Sequence, residues 1–203
     1  MLKRLISAGL LAAAMTQAPV FAQSEESNSG RSEASVQALG SFLKSTTQNG
    51  VNNDATNSGG VLASYRYFFN EHQGLEANYG YARNTNSYGL PSGPFGVPAN
   101  NHEISADYVF RFRLPRVSPF VLAGAGALIF SPTNNALPGT TTQTRAAFVY
   151  GGGTDINVTS HIFLRAEYRG FIFNSPTYDA TVLSGLNRTT HLAEPSIGFG
   201  YRF

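Results

Sequence analysis

The chain ends Ala193-Glu194-Pro195-Ser196-Ile197-Gly198-Phe199-Gly200-Tyr201-Arg202-Phe203, and the reading of this stretch decides the fold. Ala193, Pro195, Ile197, Phe199, Tyr201 and Phe203 take alternate positions, with Glu194, Ser196, Gly198, Gly200 and Arg202 between them. Successive side chains of a strand point to opposite faces, so one face is apolar and aromatic and the other small, polar or charged. A helical period of 3.6 would scatter both sets around the surface.

The same alternation runs backwards through the chain in eight stretches: 35–48, 59–70, 74–88, 102–114, 118–131, 144–157, 161–173 and 190–203. No segment sustains a helical period, so the expected class is all-β. Ile162, Leu164, Ala166, Tyr168 and Ile172 oppose Arg165, Glu167 and Arg169, and Ile104, Ala106, Tyr108, Phe110 and Phe112 oppose Asp107, Arg111 and Arg113. Ala63, Tyr65, Tyr67 and Phe69 oppose Ser64 and Arg66, and Leu75, Ala77, Tyr79 and Tyr81 oppose Glu76, Asn78 and Gly80. In the fifth and sixth stretches the outer sets read as Phe120, Leu122, Leu128, Phe130 and Ala146, Phe148, Tyr150, Ile156, with Asp155 opposite.

Connections alternate too. Tight turns at 70–73, 114–118 and 157–160 contrast with long Asn/Gly/Pro/Ser/Thr-rich connections at 49–58, 89–101, 132–143 and 174–189. Short turns at one end and long loops at the other suit an antiparallel up-and-down transmembrane β-barrel. A soluble barrel hides its aromatics and wets its charges; here charge is 13% of the chain, too little for a water-facing wall. The aromatic face is therefore expected to meet lipid and the charged face the lumen. Eight strands close the sheet and leave no edge for lipid to meet.

The N-terminus supports export. Lys3 and Arg4 precede an apolar run from Leu5 to Met15, and Val20-Phe21-Ala22 places small residues where a signal peptidase reads. The expected organisation is a cleaved signal over 1–22, a polar flexible leader over 23–34 and a barrel over 35–203. Removing Lys3 and Arg4 leaves twelve basic residues against twelve acidic ones. With no basic cluster beyond the first residues, nucleic-acid binding is excluded. The absence of Cys excludes disulfides, thiolate metal sites and thiol catalysis. No cofactor or metal is expected, and Asp54 and Asp179 stand isolated in loops.

Ser196-x-Gly198-x-x-Tyr201-x-Phe203, with its terminal Phe, resembles the outer-membrane insertion signal. The region 35–203 resembles the small eight-stranded outer-membrane β-barrels that include the transmembrane domain of outer-membrane protein A and the opacity-type proteins, without a peptidoglycan-binding domain. That resemblance implies a monomer in the bacterial outer membrane, handled during biogenesis by periplasmic chaperones and by barrel assembly machinery that reads Ser196, Gly198, Tyr201 and Phe203.

The inward residues collect Arg66, Arg111, Arg113, Arg165, Arg169 and Arg202 against Glu76, Asp107, Asp155, Glu167 and Glu194. A mixed set pairs across a narrow interior, and Arg suits multidentate bonding there. Such a network either plugs the lumen or lines a narrow porin-like path, and Ala123, Ala125, Ala127, Gly151 and Gly153, read as inward, leave room for the latter. The loops suit adhesion or recognition of an extracellular ligand but name no target. An enzyme is not expected. A nucleophile needs a base in hydrogen-bond reach; His102 and Ser105, and His161 and Ser160, have opposite parity, and His191 with Thr189 lacks an acid. The leading function is therefore structural: membrane integrity with surface presentation.

Overall fold

The computed structural model describes residues 31–44, 46–48, 51–55, 57–90, 93–133, 141–174 and 189–203, with side chains omitted over 46–55, 86–90 and 93–97. The strands are β1 (Ser32–Leu43), β2 (Thr46–Gln48), β3 (Val51–Ala55), β4 (Ser58–Phe68), β5 (Gln73–Leu90), β6 (Gly93–Arg111), β7 (Val117–Pro132), β8 (Gln143–Asn157), β9 (Ile162–Asn174) and β10 (Thr189–Arg202). No helix occurs among the described residues. Eight strands, β1 and β4 to β10, pair antiparallel with their sequence neighbours, and β10 pairs with β1 to close the barrel.

Pairing sets the dimensions. Traced around the barrel from Glu33, the register passes Arg66, Glu76, Asp107, Gly124, Val149, Phe171 and Leu192, and returns to β1 at Leu43, ten residues beyond its start. With a strand spacing of about 4.8 Å and a rise of about 3.3 Å per residue, that stagger implies a tilt of about 40° and a backbone radius of about 8 Å. An interior of this width is filled by side chains.

The tight turns are closed by side chains. Asn70 Oδ1 accepts from the N–H groups of His72 (2.9 Å) and Gln73 (2.8 Å), and Thr159 Oγ1 accepts from those of His161 (3.2 Å) and Ile162 (2.9 Å). The outer wall is apolar: Val36, Val61, Tyr65, Leu75, Ile104, Phe148, Leu164 and Ile197 all stand exposed. At the turn end Tyr67–Phe69, Phe110–Phe112 and Tyr201–Phe203 make edge-on ring pairs, forming an aromatic girdle.

Four expectations change. β1 starts at Ser32, so residues 32–34 of the expected leader are strand. The expected loops over 49–58 and 89–101 are largely strand. β5 and β6 run 18 and 19 residues into one hairpin, and β3 pairs with its upper part. Pro94 and Pro98 obscured this; among the described residues the β6–β7 ladder begins at Ala99, so neither proline interrupts it, and Pro98 meets that side through its carbonyl, which accepts from Thr133 N–H at 2.9 Å. The parity of β7 is reversed: Phe120, Leu122, Leu128 and Phe130 are buried inside, while Ala123 and Ala125 face outward. Ala127, in phase with them, also leaves the expected inward set. β7 is apolar on both faces, so alternation carried no contrast. Gly124 sets the phase, pairing with inward Asp107, where a Cβ would overlap the Ala106 carbonyl and the Asp107 carboxylate. The expected signal over 1–22, leader residues 23–30 and the loops at 134–140 and 175–188 lie outside the described residues.

Candidate functional site

The lumen is built by the inward positions of eight tilted strands, and its contents fall into layers. Nearest the turns, Arg165 binds Asp155 with two donors, Nε to Oδ1 at 2.6 Å and Nη2 to Oδ2 at 2.9 Å. Arg66 donates through Nε to Glu76 Oε2 at 2.5 Å and lies 3.5 Å from Asp155, while Arg165 Nη1 reaches Glu76 at 3.3 Å. Phenylalanine rings seat these guanidiniums: Arg111 sits 3.6 Å from the Phe68 centroid and Arg66 4.2 Å from that of Phe120.

Above this lies a belt of hydroxyl and amide groups around the Asp107 carboxylate. Ser35 and Ser64 share a 2.6 Å hydrogen bond, and Ser196 Oγ donates to Gln37 Oε1 at 3.0 Å. Asp107 Oδ2 accepts from Ser105 Oγ and Asn78 Nδ2, both at 2.8 Å. Higher still, Arg169 pairs with Glu103 and approaches Glu194 at 3.5 Å and Glu167 at 3.7 Å. Toward the loop end Leu128, Phe130, Phe171, Phe173 and Leu192 belong to one buried cluster, with the Phe130 and Phe173 rings stacked at 5.8 Å, beside buried Ser41, Asn84 and Thr190.

Of the residues anticipated for this network, Arg66, Glu76, Asp107, Arg111, Asp155, Arg165, Glu167, Arg169 and Glu194 are buried in the lumen and Arg202 is half-buried at its mouth. Arg113 is not in it: β6 ends at Arg111, and Arg113 is exposed in the following turn. Gly151 and Gly153 do face inward, paired opposite Arg169 and Glu167, where a Cβ would run into the Tyr168 and Ala166 carbonyls and, at Gly153, the Phe120 ring.

Two acids were missed. Glu33, assigned to the leader, accepts Arg111 Nη1 at 2.5 Å and Arg202 Nε at 2.8 Å and lies 3.4 Å from Arg165. Its parity with Ser35 and Gln37 was the available signal. Glu103, in phase with Ser105 and Asp107, is the partner of Arg169.

The parity argument also failed at one histidine. Ser160 Oγ and His161 Nδ1 lie 2.9 Å apart, because a turn does not obey strand alternation. Both are exposed, and the His161 ring stacks on Tyr201 at 5.7 Å. His102 Nδ1 bonds Tyr79 Oη, and His191 Nε2 bonds Tyr150 Oη, both at 2.8 Å. In the terminal motif, Ser196 is buried in the lumen, Gly198 lies against Val36 and Gln37, and Tyr201 and Phe203 face outward.

A closed barrel with an apolar outer wall, an aromatic girdle and internal charge is matched by known proteins. Residues 8–203 match the family described as the outer membrane protein beta-barrel domain. The chain belongs to this family. It is therefore a protein of the bacterial outer membrane, a class of barrel whose short turns lie at the periplasmic end and whose long connections lie outside. Neisserial surface protein A aligns with a TM-score of 0.63 at 17% identity, covering 87% of this chain and 99% of that one. Pseudomonas aeruginosa OprG gives 0.60 at 15%, covering 86% and 96%. Ail, the attachment invasion locus protein of Yersinia pestis, gives 0.52 at 21%, covering 86% and 99%. These are likenesses of fold. No curated protein sequence matches the chain.

Proposed function

We propose that this chain is a sealed structural barrel that supports outer-membrane integrity and holds its connections at the cell surface, without enzymatic activity. One observation carries the reading: inward side chains of all eight strands are withdrawn from solvent, including Glu33, Arg66, Glu76, Asp107, Phe120, Asp155, Arg169 and Glu194. Groups lining an open aqueous path would be accessible. The narrow porin-like path is the competing reading. In planar bilayers containing refolded, signal-free protein the expected result is a baseline without unitary steps; a reproducible discrete conductance would replace plug with pore.

In this reading the barrel works as a monomer solvated by lipid, after delivery by periplasmic chaperones. The assembly machinery takes Tyr201 and Phe203 as the exposed part of its signal, with Ser196 and Gly198 allowing the last strand to seat.

Loop-mediated recognition is a second reading, favoured by the β5–β6 hairpin. A tilted span needs about 9–11 residues, so strands of 18 and 19 project well beyond the bilayer. Ail has been solved in complex with the heparin analogue sucrose octasulfate, so cells displaying the intact barrel, or a version shortened between Asn84 and Ala99, can be compared on immobilised heparin. Loss of retention on shortening, with heat-modifiable gel migration unchanged, supports recognition; equal retention removes it.

A further inference from the structure

The periplasmic mouth of the lumen opens into a cleft of about 590 Å³ that the internal network does not fill. Arg111, Arg113, Arg202, Ser118, Asn157 and Ser160 border it, and its lining contains no carboxylate. Two acids lie next to it and both are engaged: Glu33 is shared among Arg111, Arg202 and Arg165, and Asp155, across the ladder from Ser118, is held by Arg165 and Arg66. Arg113 has no described carboxylate in ion-pair range. Arg111 is almost wholly buried, yet its Nε has no hydrogen-bond partner among the described residues. Arg202 spends Nε on Glu33 and Nη1 on Asn157 Oδ1 at 3.3 Å. The mouth thus combines an excess of positive charge, an unanswered buried donor, and flanking hydroxyl and amide groups.

We propose that this cleft binds a phosphate-type oxyanion. Guanidinium forks match the oxygens of a phosphoryl group, and Ser and Asn side chains supply further donors of the kind such a group accepts. The charge changes sign further in, where Arg169 alone faces Glu103, Glu167 and Glu194. An anion is therefore held at the mouth rather than drawn through. Two sources present this chemistry, free phosphate in the periplasm and the headgroup phosphate of an inner-leaflet lipid.

The test uses the refolded barrel with guanidinium resonances of Arg111 and Arg202 as reporters. One arm titrates inorganic phosphate into protein in uncharged detergent. The other places the barrel in nanodiscs of phosphatidylcholine with or without phosphatidylglycerol and reads cross-relaxation from headgroup to guanidinium protons. Arg113→Gln removes a lining charge; Arg116→Gln removes the same charge from the same turn outside the cleft, and both sites are exposed, so folding is retained. The expected result is a saturable response weakened about tenfold by Arg113→Gln, the loss of one charge-assisted hydrogen bond, and less than about twofold by Arg116→Gln. Saturation by free phosphate assigns a soluble anion; headgroup contacts in the nanodiscs assign the lipid, with phosphatidylcholine alone sufficing if the phosphate is read and phosphatidylglycerol required if net negative charge is read. No saturable response in either arm, or equal weakening by the two variants, overturns the proposal.

Discussion

Replacing Arg165 by Met separates a sealed lumen from a wet one. Arg165 holds Asp155 through two bonds of 2.6 and 2.9 Å, and both side chains are essentially inaccessible. Met keeps most of the volume and removes the charge, leaving Asp155 with Arg66 at 3.5 Å as its remaining ionic partner. Charges about 4 Å apart attract by about 4 kcal/mol at the effective dielectric of a protein interior, against about 1 kcal/mol in water. Breaking a buried pair on one side costs about 3–5 kcal/mol, because the abandoned charge stays desolvated. Arg165→Met is therefore expected to lower unfolding stability by about 3–5 kcal/mol, and adding Asp155→Leu should recover a large part of that. Urea titration of the barrel in phospholipid vesicles, followed by intrinsic tyrosine fluorescence and gel mobility, measures both. The loss should also persist at high salt, since ions do not reach the pair. A loss below about 1 kcal/mol, or one that salt abolishes, would refute the sealed lumen, because only solvent in contact with the pair screens it so well.

Three further outcomes follow from the geometry. Ala125→Arg places a charge on the lipid face of β7 and should cost about 2–4 kcal/mol in vesicle unfolding titrations; a neutral result would return this face to the lumen. Gly124→Val drives side-chain atoms into the Ala106 carbonyl and the Asp107 carboxylate, so the heat-modifiable folded band should be lost, whereas a normal band would contradict the β6–β7 register. Phe203→Ser should slow insertion by reconstituted assembly machinery several-fold while spontaneous folding into detergent keeps its rate; equal slowing of both would make Phe203 an ordinary anchor.

How much was legible beforehand varied with the contrast between faces. Where aromatics alternate with charges, as in β6, β9 and β10, parity alone placed Asp107, Arg165, Glu167, Arg169 and Glu194 inside. In β7 the contrast vanished, and the faces were exchanged. Arg113 has the right parity but stands past the end of its strand, a boundary that alternation does not mark. Glu33 was hidden because a strand's first residues look like a polar leader until a neighbour pairs with them, here Arg66 and Arg202.

By itself the sequence determined the all-β class, the number of barrel strands and, wherever aromatics alternate with charges, which face meets lipid, since these follow from a two-residue period and the sign of burial in a bilayer. The tertiary structure decided which charges meet. Partners such as Arg165 and Glu33, or Arg169 and Glu103, lie on different strands, and a stagger of ten residues around the barrel brings them to one level. It also decided where charge stops pairing: Glu33 is consumed by three arginines, and the mouth beyond it keeps a positive excess that strand periodicity does not reveal.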